Sequence, residues 1–125
     1  MKKRLFKRAF AFALILSVYP VCVIAFTWSH VLKSDFEGGR NGKLDAYRHS
    51  LASATVSYTL GEWAVNLTTW IFESNEKQSN KMDTHNNRIG ARIGSNARSF
   101  SDIEPSVREA VLQGHVFATD SEQVR

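Results

Sequence analysis

The chain has 125 residues, 43% of them hydrophobic and 22% charged, which is the size and composition of one globular domain and leaves no room for a two-domain enzyme with its own cofactor module. The formal charge of +4 is concentrated at one end: Lys2, Lys3, Arg4, Lys7 and Arg8 are five of the 16 basic residues, and beyond them 11 basic residues face 12 acidic ones, so nothing supports a nucleic-acid-binding body. The single cysteine, Cys22, excludes an intrachain disulfide and a zinc cluster of the multi-cysteine kind.

The basic run is followed by Ala9 to Trp28, twenty residues without a charge. At about 1.5 Å per residue such a helix reaches roughly 30 Å, the thickness of a bilayer's hydrocarbon core. This is an export signal with two outcomes. It remains as an anchor through residues 9–28 in the cytoplasmic membrane, or it is cleaved. Pro20 is expected to break the helix, and Val23 with Ala25 supplies the small residues of a signal-peptidase site. Cys22 is a poor lipid acceptor, because Tyr19, Pro20 and Val21 do not form a lipobox. Cations ahead of the apolar run hold the N-terminus in the cytoplasm and deliver the rest to the far side. The expected organisation is therefore a signal peptide or anchor over 1–28, a helical extracytoplasmic domain over 29–118, and a polar tail over 119–125.

The body reads as all-α, a small bundle of about four helices. After the loop Gly38 to Gly42, apolar residues Leu44, Tyr47, Leu51, Ala54 and Tyr58 recur at three- and four-residue steps up to Gly61, which predicts one amphipathic helix. A second covers Trp63 to Phe72, followed by a polar loop from Glu73 to Lys81. A third runs from about Met82 to Phe100 with Ile89, Ile93 and Ala97 in its stripe. A fourth begins near Glu104, with Pro105 in its first turn, Ser101 or Asp102 as cap, and Gly114 as stop. No segment alternates with period two, and there are no internal repeats.

Chemistry-bearing residues concentrate on two of these helices. Asp45, Arg48 and His49 stand at i, i+3 and i+4 and share a face, continued by Ala52 and Ser53. An aspartate four residues before a histidine can fix the imidazole tautomer and raise its basicity, while the arginine can hold an anion. The alternative is a surface ion pair near a helix start, where the dipole favours Asp. On the third helix, Asp83, Asn87, Gly90 and Gly94 share a face, and Asn86 beside Asn87 is a weak helix former that packing alone does not require. The two glycines allow a close crossing with the first amphipathic helix, through Ala52 and Ser53, that brings Asp45, Arg48 and His49 against Asp83, Asn86 and Asn87. Such a polar network is structural as readily as catalytic. His49, Glu73, Asp83 and His85 are ligand types for a divalent metal, but no HExxH or other close pair is present. Ser50 and Ser53 lie near His49 without a Gly-x-Ser-x-Gly elbow.

Taken together, Asn41-Gly42, Asp45-Ala46-Tyr47-Arg48-His49, Glu73, and Met82-Asp83-Thr84-His85-Asn86-Asn87-Arg88-Ile89-Gly90 resemble a bacterial family of small exported or membrane-anchored proteins, whose signature is Asn-Gly, Asp-Ala-x-Arg-His, Glu and Met-Asp-x-x-Asn-Asn-x-x-Gly. The likeness runs from about Asn41 to Gly94. It implies a helical domain with one polar cluster, Asp45, Arg48, His49, Glu73, Asp83, Asn86 and Asn87, and not a particular reaction. One departure is Phe72, where a histidine is expected before the glutamate, and this weakens a His-Glu ligand pair. Two functions follow as expectations. The first is an accessory or interaction module at the bacterial inner membrane, facing the periplasm, with an envelope protein as partner. The second is a hydrolase or lyase using His49 with Asp45 or Asp83 on peptidoglycan or phospholipid. Neither requires a cofactor.

Overall fold

Helices account for all the regular structure among the described residues. A computed structural model describes residues 1–37, 42–72 and 78–116, with side chains over 1–37, 42–67 and 84–116. The elements are α1 (Lys2–Lys33), α2 (Lys43–Leu60), α3 (Glu62–Phe72), α4 (Gln78–Asn96), a 3₁₀ turn (Phe100–Asp102) and α5 (Ile103–Leu112). The architecture is thus all-α, with a long apolar N-terminal helix ahead of a helical bundle.

α1 is one continuous helix that passes through Pro20, where the sequence predicted a break. Proline removes one backbone N–H and crowds the carbonyl four residues earlier. Here the turns beyond it are held by packing on the bundle. Tyr19, Val23, Phe26, Thr27, His30, Val31 and Ser34, spaced by three and four, turn from solvent, whereas Lys2 to Val18 are exposed all round. Thr27 and Val31 are buried, and Phe26 packs against Phe100 at 5.0 Å between ring centroids.

α2 lies at the centre, touching α1, α3, α4 and α5. Its limits match the sequence reading within a residue, and Gly61 ends it at φ 107°, with its N–H bonded to Ser57 O at 2.8 Å. One face carries Tyr47, Leu51 and Ala54 into a core with Val31, Ile103, Val107, Val111 and Val116. A second face is polar and small: Ser50, Ser53 and Ser57 are buried and meet α4. A single apolar stripe therefore understates α2, which is packed on several sides; Tyr58, read as part of that stripe, is 39% exposed.

α4 starts at Gln78, so Gln78 to Lys81 belong to the helix and not to the expected loop, as suits glutamine and lysine. Residues 73–77 lie outside the described residues. α4 ends at Asn96 instead of Phe100, which opens the 3₁₀ turn. Asp102 precedes α5 but makes no side-chain cap, because the turn holds it at φ −82°, ψ −16° and not in the extended backbone that a capping side chain needs. Gly114, at φ 76°, follows α5 as expected of a stop.

α2 and α4 run parallel: Ser50 meets Asn86, and Ser57, two turns on, meets Ala91. Both glycines of α4 are at this seam. A Cβ on Gly90 would run into the carbonyl oxygen of Ser50, and one on Gly94 into that of Ala54. The close approach is thus made over Ser50, Ser53 and Ala54. The sequence had named Ala52 and Ser53, of which only Ser53 meets Gly90.

Candidate functional site

The cluster is built from the first turns of α2 outward. Asp45 is 8% exposed and hydrogen-bonded to the Arg48 guanidinium one turn on. His49 Nε2 lies 3.5 Å from the same Oδ1, so a protonated imidazole forms an ion pair there. The expected shared face of Asp45, Arg48 and His49 exists. Arg48 also spreads over the Trp28 ring of α1, 5.6 Å from its centroid, the geometry of a cation–π contact. Arg48 therefore joins α1 to the bundle.

The asparagines are used at the α2–α4 seam. Asn86 is 2% exposed, and its backbone carbonyl accepts a bond from Ser50 Oγ at 3.3 Å. Asn87 Oδ1 accepts from Ser53 Oγ at 2.8 Å. Ser57 Oγ donates to Ala91 O at 2.7 Å. Three serine hydroxyls thus knit α2 to α4 where small residues let the backbones approach. His85 Nε2 sits 3.0 Å from His115 O, tying the first described turns of α4 to the chain beyond α5. Glu73 lies outside the described residues, and so does the side chain of Asp83. Among the described residues, no group of three His, Cys, Asp or Glu gathers as a metal site.

Sequence reasoning passed over three participants. Trp28 was counted only as the end of the apolar run, Ser57 not at all, and Ser50 only as a weak candidate nucleophile. The 50, 53, 57 spacing against Gly90 and Gly94 was the available signal.

Beside the seam, Tyr47 donates to Glu104 Oε1 at 2.9 Å, and Arg108 bonds the other carboxylate oxygen at 2.8 Å. Burial, followed by the bond to Glu104, holds the Tyr47 hydroxyl well above the ordinary phenol range. Two clefts flank α5. One, of about 670 Å³, is lined by Ile93, Arg98, Pro105 and Glu109 among others; the other, of about 550 Å³, by His30, Lys33, Tyr47, Glu104 and Arg108. Asp45, Arg48 and His49 line neither.

Fold and site together define an all-helical domain clasped to the second half of a long apolar helix. The family model described as "Domain of unknown function (DUF6973)" matches residues 8–115, and the chain belongs to that family. The match begins inside the apolar helix, so that helix is part of the family's unit. No curated protein and no solved structure matches.

Proposed function

We propose that the protein is a membrane-anchored accessory module of the bacterial cell envelope, held by an uncleaved α1 with its bundle on the periplasmic side, and that its polar signature builds the joint between anchor and bundle. The observation that carries this reading is Arg48, which pairs with Asp45 while covering Trp28. An arginine with the look of an active-site residue is thereby used to hold two helices together, with Asp45 of its own helix orienting it. The serine and asparagine bonds of the α2–α4 seam support the same role, since their donors and acceptors are matched across the interface. Orientation follows from the five cations ahead of Ala9. The partner is an envelope protein.

A second reading, acid/base hydrolysis of peptidoglycan or phospholipid, draws on His49. Its side chain is 30% exposed and is oriented by Asp45, the arrangement a general base needs. Comparing Arg48→Ala with His49→Ala in cells that export the full chain separates the two. In the accessory reading both variants lower the melting temperature of the purified protein, and function falls in parallel with stability. Loss of an envelope phenotype in His49→Ala, with melting unchanged, would establish the enzyme instead.

A further inference from the structure

The end of the bundle where α2 turns into α3 exposes Tyr58, Leu60, Trp63 and Leu67, at 39%, 46%, 64% and 48%. Trp63 and Leu67 lie one turn apart on α3 beside Leu60, whose carbonyl holds the Trp63 indole, while Tyr58 at the rim packs edge-on against Phe100; exposed apolar side chains of this kind meet a partner or a lipid surface. The corner's location decides between these. Trp28 of α1 pairs with Arg48, near the start of α2, whereas Tyr19 is hydrogen-bonded to Thr59, near its end. α2 therefore runs antiparallel to α1, and its last turn points back along the apolar helix toward the membrane side. We infer that the α2–α3 corner is a second membrane contact, seated in the lipid interface beside Tyr19 of α1; this rests on the reading of α1 as an anchor whose lipid-embedded stretch is the part exposed all round, up to Val18, with the basic side chains of residues 2–8 reaching back to the opposite headgroups.

The chemistry of the corner fits that depth. From Ser50 to Gly61 and from Trp63 to Phe72 there is no charged residue. The corner's backbone is internally bonded, Gly61 N–H to Ser57 O and Ala64 N–H to Gly61 O, so it tolerates a region poor in water. Trp63 donates its Nε1–H to Leu60 O at 2.7 Å, which leaves the ring free to lie among acyl chains. The one charge, Glu62, accepts a bond from Ser95 Oγ at 2.9 Å and is exposed. A carboxylate there holds the corner at headgroup level and prevents deeper burial. Ser95 also marks the end of α4 as lying at this level, and the exposed Arg92 and Arg98 that flank it are suited to lipid phosphates. Tryptophan, tyrosine and arginine around a short apolar surface are the composition of a membrane–water boundary.

The test places an environment-sensitive fluorophore on single cysteines in the full chain carrying Cys22→Ser. The protein is reconstituted in phosphatidylethanolamine–phosphatidylglycerol vesicles that contain a spin-labelled lipid as quencher. Labels at Phe12→Cys, Leu67→Cys and Lys43→Cys report the anchor, the corner and the opposite end of α2. Quenching at positions 12 and 67 but not at 43 is expected, and adding Trp63→Glu should weaken quenching at 67 while leaving 12 unchanged. Quenching at 12 alone would leave the anchor standing and overturn the corner contact. With neither 12 nor 67 quenched, the anchor reading itself fails. Apolar emission at 67 that ignores the quencher but rises with protein concentration would assign the patch to a second copy of the chain and overturn the inference.

Discussion

Thr27 lies on the face of α1 that packs against the bundle. It is 3% exposed, and among the described residues its hydroxyl is the buried side-chain polar atom that finds no hydrogen-bond partner. A buried hydroxyl without a partner loses its hydration and gains nothing in return. Thr27→Val keeps the shape and removes the oxygen, so it should stabilise the protein by about 1 kcal/mol, read as a higher melting temperature in detergent. Gly90 gives the opposite result. A Cβ there already meets the Ser50 carbonyl and the Ser53 side chain, so Gly90→Leu should destabilise by overpacking, on the order of 1–3 kcal/mol. Tyr47 predicts a pH dependence. Its folded pKa is raised above the unfolded value of about 10, so both states carry the proton below that pH and stability is unaffected there. Above it, the unfolded chain ionises first and stability falls as the pH rises. Melting curves from pH 8 to pH 11 should show this alkaline loss in the wild type, and Tyr47→Phe should flatten it.

The helices were legible where a residue's own chemistry sets the outcome. Gly61 and Gly114 stop α2 and α5, and both adopt a positive φ. The shared face of Asp45, Arg48 and His49 follows from helical spacing alone. Illegible were features decided by a neighbour distant in sequence. The run from Ser50 to Ser57 reads as indifferent until α4 lies against it, when each hydroxyl acquires an acceptor. Pro20 reads as a breaker until the packed stripe from Tyr19 to Ser34 holds the helix on its far side. Capping by Asp102 failed because the preceding 3₁₀ turn fixed its backbone. At the scale of the α2–α4 seam, Ser57→Ala should cost roughly 1 kcal/mol, since Ala91 O loses a donor. Ser57→Leu should cost more, because the helices are too close to admit a branched side chain. Urea titration of the two variants side by side checks the order.

For the molecule as a whole, α1 splits into two parts with different surroundings. Lys2 to Val18 are exposed on all sides, whereas Tyr19 onward shares one face with the bundle. Retention of α1 predicts that blocking signal peptidase leaves the size of the chain unchanged; a shift to a larger form would show cleavage. It also predicts that, in Cys22→Ser cells, an impermeant thiol reagent added outside the cytoplasmic membrane labels Leu32→Cys but not Lys3→Cys, which lies ahead of the apolar run. Labelling of Lys3→Cys alone would reverse the topology.

Because α1 docks through a stripe that continues from Tyr19 to Ser34, the bundle cannot swivel about it as a domain on a flexible linker would. In a bilayer its tilt and its height above the surface are set together with the helix. The remaining freedom is rotation about the membrane normal and diffusion in the plane. A partner in the same membrane therefore meets the bundle with the same side always at the same altitude. The search for the productive encounter shrinks from three rotations to one, so that even a small contact area can serve two proteins that share a bilayer.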